Sequence, residues 1–214
     1  MIHEGRVDLD SVQIGAADVE AVTTAYRLLF DEEPTPAGRF ELARGAVEIV
    51  PGTPGLLSVR FRGHSSTRDF HGLPVVMSAE PPAPVAESAV AIDHIVVRTV
   101  NAPRAIALWR DAMGLRLALD RIFAERGLRL LFFRTAGVTL EFAAAEPPSV
   151  DGEAPDVLYG VSYRVPDVEA WRARLEAAGI DVSPVRPGMR PGTSVVTVRS
   201  GTGGVPTLLL QVHG

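Results

Sequence analysis

Apolar and polar positions in this chain alternate in short runs that stop at a polar residue and then change period. The stretch IDHIVVRTVNAPRAIALWRDAMGL, residues 92 to 115, shows the change most clearly. Its first part is β-branched and reads as a strand, whereas from Asn101 onward Ile106, Trp109 and Met113 recur at helical spacing. The same switch follows Asp18, where Val19, Val22, Tyr26, Leu29 and Phe30 form one stripe. It recurs after Asp167, with Val168, Trp171, Leu175 and Ala178. Asp18, Asn101 and Asp167 stand where a helix needs a side chain to accept from its first free amides, so each is expected to be an N-cap.

These switches are copies of one unit. SVQIGAADVEAV (residues 11–22) aligns with GVSYRVPDVEAW (160–171), keeping DVEA in register; LDSVQI (9–14) lies over IDHIVV (92–97), and further on Tyr26-Arg27 falls over Trp109-Arg110. After the second helix come three strand-like runs, LRLALDRIF, LRLLFFRTA and GVTLEFAAA, which makes a βαβββ module. After the third, VSPV, SVVTVRS and PTLLLQV repeat the pattern. The N-terminal part is reduced. VDLDSVQIG, a helix, GRFELAR and AVEIVPG make a module one strand short. LLSVRFRG and LPVVMSA read as the first and last strands of another, whose helix has shrunk to HSSTRDFHG. The Pro-rich stretch EPPAPVAES, residues 80–88, reads as a linker. The expected fold is therefore α+β, built of tandem βαβββ modules. Residues 1–88 form a degenerate N-terminal half and 89–214 a complete C-terminal pair.

Composition narrows the chemistry. The 214 residues include no cysteine, so thiolate nucleophiles, thiolate metal sites and disulfides are excluded. A formal charge of -5 without a basic cluster argues against nucleic acid and anionic membranes. No apolar run approaches the roughly 20 residues of a membrane span, and MIHEGRVDLD lacks the zones of a signal peptide, so a cytoplasmic protein is expected. GTGGVP lies between two strands without the helix and Lys of a phosphate loop, and is read as a hairpin turn. RPGMRPG, residues 186–192, is read as a Pro/Gly connection. No Ser/His/Asp arrangement is identifiable.

Paired βαβββ units with DHIVV opening the first strand, MGL ending the helix, GVTLEF closing the unit and VSYRVPDVEA opening the next resemble the vicinal oxygen chelate superfamily. That group includes glyoxalases, methylmalonyl-CoA epimerases, extradiol dioxygenases and bleomycin-resistance proteins. The resemblance covers residues 91 to 212 well and the earlier part partially. It implies that the modules form curved mixed sheets around a cup, with a divalent metal (Zn, Ni, Co, Fe or Mn) held on the first and last strands of each module. Those positions are His94, Glu141, Gly160 and Gln211, so His94, Glu141 and Gln211 are the expected ligands and Gly160 is the departure. Without a second histidine at residue 160, a two-histidine, one-carboxylate iron site is not expected. Strand alternation groups residues 92, 94, 96 and 98, residues 139 and 141, and residues 207, 209 and 211 on shared faces. In the N-terminal half Ser11 matches His94 and Ser58 matches Gly160. Glu48 lies near the Glu141 position, where a strict Gly-to-Gly alignment puts Ile49 instead.

Three functions fit these residues. The first is a metal-dependent lyase or isomerase acting on a small oxygenated metabolite through an enediolate, with Glu141 and His94 as catalytic groups. Arg98, Arg164 and Ser162 are its candidate substrate contacts, the arginines for a carboxylate or phosphate; the competing reading of the arginines is a solvated strand end. The second is a metal-free enzyme using His94 and Glu141 as an acid–base pair. The third is a small-molecule or drug-binding protein like the bleomycin-resistance relatives, to which an aromatic content of 6% lends little support. Each takes a small molecule as partner, and both a monomer and a homodimer remain open.

Overall fold

The computed structural model describes residues 7–65, 67–81, 85–148 and 152–213. It is an α+β protein whose strands lie in two mixed sheets. The strands are β1 (Asp8–Ala16), β2 (Arg39–Glu41), β3 (Ala46–Pro51), β4 (Gly55–Arg62), β5 (Val75–Ser78), β6 (Ala91–Thr99), β7 (Arg116–Phe123), β8 (Leu128–Arg134), β9 (Thr139–Ala145), β10 (Val157–Arg164), β11 (Arg186–Pro187), β12 (Thr193–Val198) and β13 (Thr207–Val212). The helices are α1 (Val19–Phe30), α2 (Ala102–Ile106), which runs on into a π-helical turn at Ala107–Ala112, and α3 (Val168–Ala177).

The module pattern reappears as strand order. In the third module β6 pairs parallel with β9, which pairs antiparallel with β8, and β8 with β7. The fourth module repeats this as β10, β13, β12 and β11. The first is one strand short, with β1 parallel to β3 and β3 antiparallel to β2. The second keeps only β4 and β5, paired in parallel as a first and a last strand should be. Its expected helix remnant has no helical residue among those described, and Ser66 lies outside them. Of the Pro-rich segment, residues 82–84 likewise lie outside. One expected strand is replaced. VSPV forms only a bridge from Val182 to Val198, and the second strand of the fourth module is the two-residue β11. Pro184 and Pro187 have no amide to give a ladder, which keeps this edge short.

All three caps are in place. Asp18 accepts from the Ala21 amide at 2.9 Å, Asn101 from Arg104 at 3.0 Å, and Asp167 from Glu169 and Ala170 at 3.0 and 3.1 Å. The π-helical turn alters the second stripe. Leu108 and Trp109 are both buried, at 6% and 1% exposure, because the wider turn brings adjacent residues inward.

The described chain forms two compact units, each drawn from both sequence halves. Unit 1 takes the chain up to Asp10, Ser58 through β5, and His94–Tyr159; unit 2 takes Ser11–Leu57, the approach to β6 up to Asp93, and the chain from Gly160. Within unit 1, Trp109 packs against Phe61, Phe70 and Phe142. Within unit 2, α1 and α3 are bound together by Trp171 Nε1 donating to Leu29 O at 3.1 Å and by Arg174 donating to Leu28 O at 2.9 Å. Phe30 meets Phe40 and Tyr163 edge-on below them.

Candidate active site

The sheet β6–β9–β8–β7 in unit 1 has two unlike faces. Ile95, Val97, Leu140, Phe142, Leu131 and Phe133 are buried at 2% exposure or less, on the side of Trp109. The other face carries the polar chemistry. His94 pairs with Thr139, and Val96 with Glu141, so the two candidate catalytic residues lie one step apart diagonally on adjacent parallel strands. His94 Nε2 and Glu141 Oε2 are 3.7 Å apart, with the side chains 18% and 21% exposed. That separation is an ionic contact when His94 is protonated, and it leaves room for a proton to travel through a bridging water or a bound molecule. The sequence expectation brought these two residues together, and so does the structure.

The remaining expected residues are placed elsewhere. Gln211 shares a face of β13 with Thr207 and Leu209, which are buried at 2% and 0% exposure, on the α3 side. Its Oε1 accepts from the Val168 amide at 3.1 Å, so the oxygen expected on a metal serves the first turn of α3. Pair register gives the true counterpart of Glu141. Val96 opposes Glu141, and Ser162, two residues after Gly160 as Val96 is after His94, opposes Leu208. The last module therefore presents leucine where the third presents a carboxylate. Arg164 is held by Asp93 at 2.5 Å, and Ser162 is buried at 2% exposure. Arg98 is exposed and lies over the Tyr159 ring, 3.6 Å from its centroid.

Gly160 is more than a missing ligand. A Cβ there would lie 2.6 Å from the Pro206 carbonyl oxygen and 3.2 Å from Pro206 Cβ, so no side chain fits without backbone movement. Among the described residues no three or more His, Asp or Glu side chains gather closely enough to share a metal ion. Among the described residues the third module offers His94 and Glu141, and the last module has glycine and leucine at the matching places. The residues present do not fit the ligand set that the resemblance implies.

The first module retains a relic of the same geometry. Gln13, aligned over Val96, opposes Glu48, so the register assigns Glu48 rather than Ile49 to the Glu141 position. Glu48 accepts from Gln13 at 2.9 Å and from Arg39 at 2.6 Å. Burial by itself would raise its pKa. The hydrogen bonds from Gln13, Arg39 and Ser11 and the charge of Arg39 outweigh that and hold it below the usual glutamate value.

Sequence reasoning missed the arginines of β7 and β8. Arg134 opposes Arg116 directly, and Arg121 opposes Leu130, all on the face that carries His94 and Glu141. Arg134 donates through Nη1 to Thr139 Oγ1, which leans it toward the His94–Glu141 pair. Only the pairing register could reveal this, because a bulge between Leu117 and Leu119 shifts which β7 residues share a face.

Residues 93–197 match the model of the Glyoxalase/Bleomycin resistance protein/Dioxygenase superfamily. Among solved structures, the chain is similar to methylmalonyl-CoA epimerase from Mycobacterium tuberculosis, with 21% identity over 61% of this chain and 94% of that one and a TM-score of 0.49. It is also similar to a hypothetical protein from Bacillus halodurans C-125, with 15% identity over 59% and 97% and a TM-score of 0.49. A third is Streptomyces coelicolor methylmalonyl-CoA epimerase in complex with 2-nitronate-propionyl-CoA, with 20% identity over 56% and 93% and a TM-score of 0.45. A search of curated proteins gave no match.

Proposed function

We propose, from the membership of residues 93–197 in the glyoxalase/bleomycin resistance protein/dioxygenase superfamily, that this chain is an isomerase or lyase moving a proton next to a carbonyl in a small oxygenated metabolite. The observation that carries the reading is the His94–Glu141 pair, 3.7 Å apart and part-buried on one sheet face. In this reading the Glu141 carboxylate takes the proton α to the carbonyl. His94, on the neighbouring strand, donates a hydrogen bond to the oxygen on which negative charge develops, and Glu141 gives the proton it took back to the substrate in the reverse or onward step. The divalent metal expected from the resemblance is given no step, because two side-chain donors replace the expected set. The N-terminal half, residues 1–88, serves as a packing complement to residues 89–214, and the protein acts in the cytoplasm on a freely diffusing substrate.

The test is proton exchange. The full chain is incubated in D₂O with 2-oxoaldehydes and 2-substituted acyl thioesters, and deuterium entry next to the carbonyl is followed by NMR. Exchange by the wild type, reduced about 100-fold or more in both Glu141→Gln and His94→Gln, is expected. The same exchange rate in both variants would overturn the assignment. Metal content measured on the same samples reports on the ion separately. Stoichiometric metal lost in both variants would restore the metal-dependent reading.

A further inference from the structure

Arg98 stands apart from other arginines of the chain. Arg62, Arg104, Arg129 and Arg164 each grip a carboxylate. Among the described residues Arg98 has no such partner, although Asp and Glu outnumber Lys and Arg by 26 to 21. What it has is a ring. Its guanidinium carbon lies 3.6 Å from the centroid of Tyr159, and both side chains are exposed and belong to unit 1. A separation that short leaves room only for a guanidinium lying flat, because one standing on edge would drive a nitrogen into the ring. Stacking occupies one face of the cation and leaves the in-plane N–H donors directed outward. It also restricts the rotamers of a long side chain, so the fork is ordered before anything binds.

This fork stands on the side of the sheet that carries the candidate site. Along β6, His94, Val96 and Arg98 alternate onto one side, and Ile95, Val97 and Thr99 are buried on the other. Arg98 opposes Ala143 on β9, two residues beyond Glu141 and on its side of the strand. At roughly 3.3 Å per residue and 4.8 Å per strand, Arg98 is rooted about 8 Å from Glu141. The floor between them is Val96 and Ala143, apolar and, at Ala143, only a methyl group high. Leu130 opposes Ala143 on β8 and continues that floor. On β10, Val157 adds exposed apolar surface two residues before Tyr159. A small molecule lying on this floor meets Glu141 at one end and the Arg98 fork at the other. A planar guanidinium is the side chain best shaped to hold a carboxylate or phosphate there, through two parallel bonds.

We infer that Arg98, held flat on Tyr159, grips a carboxylate or phosphate at the end of the substrate remote from the His94–Glu141 pair. The inference deepens the function proposed above and rests on it for the word substrate, whereas the binding of the anion stands without it. Arg98 acts on binding and not on the reacting bond, so its removal is felt in KM rather than in kcat.

The experiment is an NMR titration of the ¹⁵N-labelled full chain with malonate and, separately, with inorganic phosphate, at low and at physiological ionic strength. The Arg98 Nε–H resonance, identified as the one missing from Arg98→Gln, is expected to shift saturably, with affinity weakened by added salt as for an exposed charged site. Malonate alone assigns a carboxylate, phosphate alone a phosphate, and a response to both a fork that takes either. Backbone amides of β6 and β9 report affinity in the variants. Arg98→Gln is expected to weaken it about tenfold or more, and Arg98→Lys less. Tyr159→Leu should weaken it about threefold, and Tyr159→Phe, which keeps the ring, less than about twofold. Arg121→Gln removes another exposed cation from the same face, where Arg121 opposes Leu130, and should change affinity less than about twofold. Thermal unfolding of each variant shows that it is folded. The inference is overturned if neither anion moves the Arg98 resonance, if Tyr159→Leu binds as the wild type does, or if Arg121→Gln weakens binding as much as Arg98→Gln. Anion binding without proton exchange would sink the proposed reaction and leave the anion site. Proton exchange with an unchanged KM in Arg98→Gln would sink the inferred role of Arg98 and leave the reaction.

Discussion

Substituting Gly160 by alanine tests the claim that the last module has no room for a ligand on its first strand. The added Cβ would lie 2.6 Å from the Pro206 carbonyl oxygen, well inside ordinary contact. That oxygen is not free to retreat, because it accepts the Val161 amide at 3.1 Å. Overpacking of a tight site costs about 1–3 kcal/mol, and losing the hydrogen bond adds about 1 kcal/mol. The expected loss is therefore about 2–4 kcal/mol. With a urea slope near the upper end of the usual range, about 3 kcal/mol per molar, the unfolding midpoint should fall by about 1 M. Gly152→Ala is the control, since among the described residues its Cβ would meet only Asn101 Nδ2 at 3.7 Å. Urea unfolding followed by tryptophan fluorescence reads both. A Gly160→Ala midpoint equal to the wild type would refute the steric argument and reopen the position to a histidine.

Other substitutions probe neighbouring claims. Asp156 is fully buried as a side chain and bound to Arg104 at 2.9 Å, so Asp156→Ala, which strands that guanidinium, should cost about 3–5 kcal/mol in urea unfolding. Gln211→Ala should cost about 1 kcal/mol through the lost bond to Val168 and leave metal content and proton exchange unchanged. The depressed pKa of Glu48 contributes stability that is present above the ordinary value of 4.5 and is lost as pH falls through the lower folded value. Glu48→Gln should flatten that acid limb of the urea midpoint against pH, and an unchanged slope would contradict the assignment.

Much of this protein was legible because its modules obey local rules. Asp18, Asn101 and Asp167 cap helices for a reason contained in a few residues, and the β-branched run IDHIVV suits a pleated, packed surface and lies in a strand here. Repetition of the pattern foretold the reduced modules, including the parallel pairing of β4 with β5. Alignment also brought His94 and Glu141 to neighbouring strands. VSPV was misread as a full strand because its apolar residues concealed the prolines' lack of donors.

What the sequence could not determine was which face each alternating set presents and which residues meet across strands. Alternation grouped Thr207, Leu209 and Gln211 correctly, yet only the packing of α3 shows that this set faces the helix. A one-residue change of register moves every side chain to the other face, so Glu48 could be chosen over Ile49, and Leu208 recognised opposite Ser162, only from the paired strands. The facing arginines of β7 and β8 depend on a bulge that shifts the alternation of β7. Local chemistry thus determined the elements, and the family resemblance pointed to two residues of the candidate site. Long-range pairing decided the rest, because strand partners many residues apart are set by the packing of the whole sheet.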